Sequence, residues 1–345
     1  MRKIALFVPA PFDQISGGYI YDRRIVDGLR AIGHEVAVIE LEGRFPLPDD
    51  QAIAACAAAW DRLPHDTTAV IDGLALPGFA GCIEALAERQ AVGLLHHPTC
   101  LETGITAEVA GALRGIELAM FPRLHRAIVT SPYTGECLVK DFGVDREKLR
   151  VIVPGTEAAP RSTGKGDGVC RVLSIGTLIP RKGHDVLLRA LARLFDLDWH
   201  LTIAGSADRD PVHAQGLFAL AAELDIGQRV TFLGELSGTP LAALWNEADV
   251  FALATHFEGY GMVIAEALKR GLPVAVTNGG AAGALVSAEC GVVCPVDDVA
   301  QLSKALRRLI FDVALRRGMA EAAWHAGQAL PDWPAQAADF AVACR

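Results

Sequence analysis

The sequence predicts an α/β protein made of two doubly wound parallel sheets, one in each half of the chain. Three observations predict it. Short apolar runs of strand length alternate with segments of helical period along almost the whole chain, the pattern of parallel βαβ units. At 345 residues, the chain exceeds what a single hydrophobic core usually organises. The alternation is interrupted once, between Pro154 and Val169, by a stretch of breakers with no apolar residue after Ala159, the composition of a linker.

Lys3 to Val8 reads as a first strand, since Pro9, Pro11 and Asp13 end its apolar run too early for a signal peptide. A loop closes on Gly17-Gly18, and a helix follows, with Ile20, Ile25, Val26, Leu29 and Ile32 on one face and a stop at Gly33. His34 to Leu41 is the next strand. This strand, glycine turn, helix and strand open a nucleotide-fold domain without its G-x-G-x-x-G fingerprint, so a tight structural turn is the other reading of the glycine pair.

The alternation continues with helices over 50–61, 79–90, 104–120 and 133–141. Between them come strands at Ala69 to Ile71 and Ala127 to Thr130, and a run from Ala91 that delivers His96, His97 and Pro98 to its carboxyl end. Beyond the linker, Val172 to Ile175 is a strand, followed by Gly176 to Gly183 and a helix through Phe195. Further strands are expected at 200–204, 230–233, 250–253 and 274–276, and terminal helices at 301–310, 315–327 and 333–343. The units are thus 1–155, a linker at 156–168, 169–328, and a final helical segment, 329–345, that packs back toward the first unit. Two such units leave a cleft, with Gly17, Gly18 and His96 expected on one side and Lys182 with the stretch around Glu258 on the other.

Composition narrows the function. A formal charge of -9 and the lack of Lys/Arg runs argue against nucleic acid as a partner. The apolar runs are too short to span a membrane, so membrane contact is expected to be peripheral at most. The eight cysteines are scattered through apolar surroundings, as buried reduced thiols are in a cytoplasmic protein. Cys290 and Cys294 lack zinc-site spacing. Gly164-Lys165 fails as a phosphate loop because Gly166 follows the lysine. Asp208-Arg209-Asp210 reads as a solvated loop, and no metal is expected.

The densest stretch is Glu258-Gly259-Tyr260-Gly261-Met262-Val263-Ile264-Ala265-Glu266. It follows a buried apolar strand and leads into a helix ended by Gly271 and Pro273, so its two acids flank a strand-to-helix turn at the carboxyl edge of a sheet. Open α/β folds bind ligands there, and the helix start offers free N–H groups to an anion. The structural alternative is an acid at a helix N-terminus and a Glu266–Arg270 surface pair one turn apart.

Taken together, these residues resemble the retaining glycosyltransferases of family 4, which have the GT-B fold of two Rossmann-like domains facing across a cleft. The likeness covers nearly the whole chain. Its most specific part is Glu258 through Glu266, the family's paired glutamates. Gly176 to Gly183 is similar to the family's G-R-L-x-x-x-K-G, Pro154-Gly155 to its interdomain hinge, and His96-His97-Pro98 to its first-domain histidine segment.

The resemblance implies transfer of a sugar from a UDP- or GDP-sugar with retention of configuration, the nucleotide-sugar being a co-substrate and no cofactor being needed. The first domain would then be acceptor-side and the second would bind the donor. Lys182 would contact the diphosphate, and N–H groups from Gly259, Tyr260, Gly261 and Met262 would add donors. Glu258 would accept hydrogen bonds from the sugar and Glu266 from the ribose. His96 would lie near the donor sugar or its phosphate, and Gly17 and Gly18 would allow close approach of the backbone.

The chain departs from the family at two places. Thr177 stands where the family has Arg, leaving Arg181 as the candidate replacement, and Asn278 to Gly283 lacks the family's carboxylate after the glycine turn. Sugar and nucleotide preference therefore stay open. So does the acceptor, whether small molecule, saccharide or lipid, which the loops at 11–16, 45–50 and 99–106 would select. A sugar phosphorylase, an epimerase and a non-catalytic nucleotide-sugar binder are the alternatives on the same scaffold. A dinucleotide oxidoreductase lacks its glycine fingerprint.

Overall fold

The structure, a computed structural model, describes residues 1–102 and 104–345, so that Thr103 of the expected 99–106 loop lies outside the described residues. The chain forms two compact units, Met1–Gly155 with Pro331–Arg345, and Thr156–Leu330. The first contains β1 (Lys3–Pro9), α1 (Gly17–Ala31), β2 (Glu35–Leu41), α2 (Asp50–Asp61), β3 (Thr67–Asp72), α3 (Ile83–Glu88), β4 (Val92–Leu95), α4 (Ala107–Met120), β5 (Arg126–Val129), α5 (Pro132–Phe142) and β6 (Leu149–Val151). The second contains β7 (Cys170–Ile175), α6 (His184–Ala192), β8 (Trp199–Ala204), α7 (Pro211–Glu223), β9 (Val230–Phe232), α8 (Gly238–Glu247), β10 (Val250–Leu253), α9 (Met262–Lys269), β11 (Val274–Thr277), β12 (Gly291–Cys294), α10 (Val299–Phe311) and α11 (Val313–Gln328). The last helix, α12 (Trp333–Ala343), returns to the first unit.

Each unit carries one six-stranded parallel sheet. The orders are β2-β1-β3-β4-β5-β6 and β12-β11-β10-β7-β8-β9. The central strands are buried on both faces, as in Val250-Phe251-Ala252-Leu253, which is why they read as continuous apolar runs. Several helices begin where the sequence supplies a capping oxygen. Ser131 accepts from the Thr134 N–H, Asp210 from His213, and Asp298 from Gln301, so Asp210 of the Asp208-Arg209-Asp210 run is a helix cap.

Strand order matters more than strand count. In the first sheet the chain reverses direction of growth between β1 and β3, and in the second between β7 and β10. At such a reversal the loops leaving two adjacent parallel strands diverge to opposite faces and open a crevice at the carboxyl edge.

Four expectations change. The helix expected over 79–90 is a run of 3-10 turns, Leu76–Cys82, followed by the short α3, because Pro77 and Gly78 at its start disfavour a regular helix. The helix expected through Phe195 stops at Ala192. β12 was not foreseen, since a four-residue Gly-Val-Val-Cys run carries too little pattern to separate a strand from a loop. Residues 156–168 do not hang free: the Ser162 N–H donates to the Arg270 carbonyl (2.9 Å), the Thr163 N–H to Asn246 (3.2 Å), and Arg161 pairs with Glu321 at 2.6 Å. Carbonyls near the ends of α8 and α9 take up donors of a segment that has no strand partner of its own.

α12 lies against α1, where the Trp333 ring meets Tyr21 edge-on at 5.7 Å, and Arg2 donates to the Cys344 carbonyl at 3.0 Å. All eight cysteines are free thiols, six of them buried. On α4, the buried Glu117 carboxylate accepts from the Thr99 N–H (2.5 Å), the Thr99 hydroxyl (2.7 Å) and the Cys100 N–H (3.3 Å), which fastens the turn that follows His96-His97-Pro98. Glu117→Ala leaves those buried donors unsatisfied, so unfolding in denaturant is expected to show a loss of about 1–3 kcal/mol. An unchanged midpoint would mean that water satisfies the turn instead.

Candidate active site

The second unit's crevice is built from the loops after β7 and β10. Gly183 adopts a left-handed conformation with φ +60, and a Cβ there would fall 2.0 Å from the Ala254 carbonyl oxygen, so glycine is what lets the two loops touch. They are then stitched together: the His256 N–H donates to the Arg181 carbonyl at 2.8 Å and the Arg181 guanidinium to the Phe257 carbonyl at 2.8 Å. This turns Arg181 and Lys182 toward the same carboxylate. Lys182 Nζ donates to Glu258 Oε1 at 2.6 Å, Arg181 Nη1 lies 3.7 Å from that oxygen, and the Thr255 hydroxyl is 3.1 Å from it.

Glu258 is 8% exposed, and its backbone is pinned to the turn after β11, its N–H donating to the Gly279 carbonyl at 3.1 Å and its carbonyl accepting from the Ala281 N–H at 2.8 Å. The glycine turn that lacks a carboxylate thus holds Glu258 through main-chain bonds. Burial pushes the Glu258 carboxyl up, but the Lys182 ammonium and the Arg181 guanidinium, with hydrogen bonds from Lys182 and Thr255, outweigh it and hold the group below its ordinary value.

Gly261, at φ +100, is the N-cap of α9, so the backbone after Gly259 and the buried Tyr260 leads directly into that helix, with Met262 as its first residue. Glu266 lies one turn further on, half-buried. The structure does not bring it to Lys182 or Glu258. Arg270 donates to its carbonyl oxygen at 3.0 Å and stacks over Trp245 at 4.7 Å, so the Glu266–Arg270 surface pair of the structural alternative does not form, and the Glu266 carboxylate has no hydrogen-bond or ion-pair partner among the described residues. Burial pushes its carboxyl up, with Arg270 opposing and Glu157 reinforcing. Thr177 lies in the loop after β7, whose Gly176 packs on the Lys182 side chain and, through its carbonyl, accepts from His184 Nε2 at 3.2 Å. Burial holds His184 neutral, at about 4.

The first unit has its own cluster at the β1/β3 reversal. His96 leaves β4, and its Nε2 lies 3.0 Å from Asp22 Oδ1 on α1 and 3.6 Å from Asp72 Oδ2 at the end of β3. Gly17 and Gly18 open α1, and a Cβ on Gly18 would sit 3.2 Å from the His96 ring, a tight approach that brings the helix start onto the imidazole. Tyr21 meets that ring edge-on at 5.3 Å. Among the described residues this is the set that could take a metal ion, its three ligand atoms lying within 4.8 Å of one another, although His96 Nε2 is already engaged by Asp22. Burial, then the Asp22 charge, pushes the Asp72 carboxyl up to about 7 against His96 and the Leu74 N–H. Burial also opposes protonation of His96, but Asp22, by charge and hydrogen bond, and then Asp72 hold it above its ordinary value.

Asp22, Asp72 and Thr255 were missed in the sequence. Asp22 had a signal: it falls in register with Ile25, Val26 and Leu29 on the apolar face of α1, where a carboxylate needs a partner. Asp72 directly follows a buried apolar strand. Thr255 carried none.

Both sheets and their order along the chain are those of the GT-B fold, shared with sucrose-phosphate synthase of Thermosynechococcus elongatus (TM-score 0.82, 21% identity, 99% of this chain and 98% of that one) and with Anabaena HepE, solved with UDP and glucose (TM-score 0.81, 18% identity, 99% of each chain). Residues 156–325, nearly the whole second unit, match the family model described as glycosyl transferases group 1. Among curated proteins, the D-inositol 3-phosphate glycosyltransferase of Mycolicibacterium gilvum is 33% identical over 228 residues, 58% of this chain and 51% of that protein. The Rhodococcus opacus enzyme of the same name is 29% identical over 243 residues, 66% and 54%. The chain thus spans about half the length of the curated relatives it matches.

The first-unit cluster sets a pH dependence. Asp72 and His96 both have folded-state values raised above their unfolded ones, so their contribution to stability is full below the unfolded values and is lost as pH rises through the folded ones. The thermal midpoint is expected to fall from pH 5.5 to 8.5, and Asp72→Asn, which removes one of the two carboxyls, is expected to flatten that slope. A variant with the same slope as wild type would show that the dependence arises elsewhere.

Proposed function

We propose that the protein is a retaining glycosyltransferase that moves a sugar from a UDP- or GDP-sugar to an acceptor without a metal cofactor. The observation that carries the reading is the convergence of Arg181 and Lys182 on Glu258 beside the start of α9, inside the segment that matches the glycosyl transferases group 1 model. The leaving diphosphate gains negative charge as the glycosidic bond breaks, and the site concentrates two cations where that charge would develop. N–H groups from Gly259 to Met262 add neutral donors. Arg181 supplies the second cation that Thr177 does not.

In the structure Lys182 donates to Glu258. Donor binding exchanges partners: the ammonium turns to the diphosphate, and the ionised Glu258 accepts from sugar hydroxyls. Glu266, whose carboxylate has no partner among the described residues, accepts from the nucleotide ribose. A role for His96, with Gly17 and Gly18 on its edge, toward the donor sugar or its phosphate follows from the family resemblance alone. Relatives named D-inositol 3-phosphate glycosyltransferase match 58% and 66% of this chain, so phosphorylated polyols head the acceptors to be screened, followed by saccharides and lipids. The site is expected to work in the cytoplasm, where nucleotide sugars are made.

Lys182→Ala is expected to lower turnover by about 2.7–4 kcal/mol of transition-state stabilisation, as loss of a charge-stabilising donor does elsewhere. Release of UDP or GDP from each nucleotide sugar, with and without acceptors, measures it, and near-normal turnover by the variant would sink the assignment. A chelator is expected to leave turnover unchanged; loss of activity, restored by a divalent ion, would reopen the Asp22–Asp72–His96 set as a metal site.

A further inference from the structure

We propose that the outer face of α10, continued by Phe195, is a docking surface for an anionic lipid bilayer. One face of α10 is core, with Leu302, Leu306, Leu309 and Ile310 buried. The opposite face carries Lys304, Arg307 and Arg308, all exposed, and ends in Phe311, 74% exposed. Phe195, 83% exposed, belongs to the same patch. Its neighbour Asp196 receives both Arg307 nitrogens, at 2.8 and 2.6 Å, and Phe311 lies one helical turn from Arg307. Arg193, two positions before Phe195, and Arg317, on α11, are also exposed. Of the nearby acids, Asp196 is taken by Arg307, which the pair neutralises in turn, and Asp312 caps α11, where it accepts from the Leu315 N–H, while Asp198 is exposed; the cations left to the patch are Lys304, Arg308, Arg193 and Arg317.

Charge and shape both select the partner. The chain as a whole carries -9, so cations gathered here run against the sign of the molecule and complement an anionic surface. Two solvent-exposed phenyl rings among those cations gain by burial at the boundary between headgroups and acyl chains.

Flotation of the full chain with phosphatidylcholine vesicles, with and without phosphatidylglycerol, tests the proposal. The wild type is expected to float only with the anionic vesicles and to be released by high salt. Phe195→Ser/Phe311→Ser and Lys304→Glu/Arg308→Glu are each expected to lower the partition coefficient by about tenfold or more. All four positions are exposed, so unfolding temperatures should not change. No flotation of the wild type, equal flotation with neutral vesicles, or wild-type flotation by either variant would overturn the proposal. So would loss on charge reversal alone, with the serine pair unaffected, which is the behaviour of a general polyanion surface.

Discussion

The buried contact between Lys182 and Glu258 depends on a constraint that has nothing to do with charge: the second sheet must reverse its order between β7 and β10. Only there do two adjacent parallel strands send their loops apart, leaving room for an ammonium and a carboxylate to meet at 2.6 Å. Everything around the pair serves that meeting. Gly183 admits the close crossing, Thr255 and the Arg181 backbone lock it, and the turn after β11 holds Glu258 by its main chain. A charge pair with both members this sheltered is costly to leave half-made, typically about 3–5 kcal/mol, so the site demands occupancy of each position, whether by the protein's own partner or by a ligand.

The same stretch contains two carboxylates that the fold treats oppositely. Glu258 is kept ionised by the two cations facing it, whereas burial, opposed in part by Arg270, pushes Glu266 toward its neutral form. Eight positions apart in the chain, they are suited to different hydrogen-bonding tasks. The first unit repeats the logic with other residues. Its reversal between β1 and β3 gathers Asp22, Asp72 and His96, and an imidazolium between two buried carboxylates is the arrangement that makes their burial tolerable.

Much of this was legible in the sequence. The alternation of strand-length apolar runs with helical periods predicted two parallel sheets, because each signal is written into a few neighbouring residues. Lys182 and Glu258 stood out by motif, and Arg181 was named as the residue to make up for Thr177. Less was legible where local rules are weak. The run Gly291–Cys294 is too short to declare itself a strand, Pro77 and Gly78 break what otherwise reads as helix, and a breaker-rich segment at 156–168 looks free until its donors meet the ends of α8 and α9.

By itself, then, the chain's order of residues determined most of the strands and helices though not all of their ends, which loops carry cations and acids, and that the fold is α/β in two units. Tertiary structure alone decided who meets whom. Lys182 and Glu258 are 76 residues apart and His96 and Asp22 are 74 apart, distances over which no periodicity or capping signal acts. Their encounter is set by the order in which strands join a sheet, and that order is fixed by the packing of whole helices on its faces.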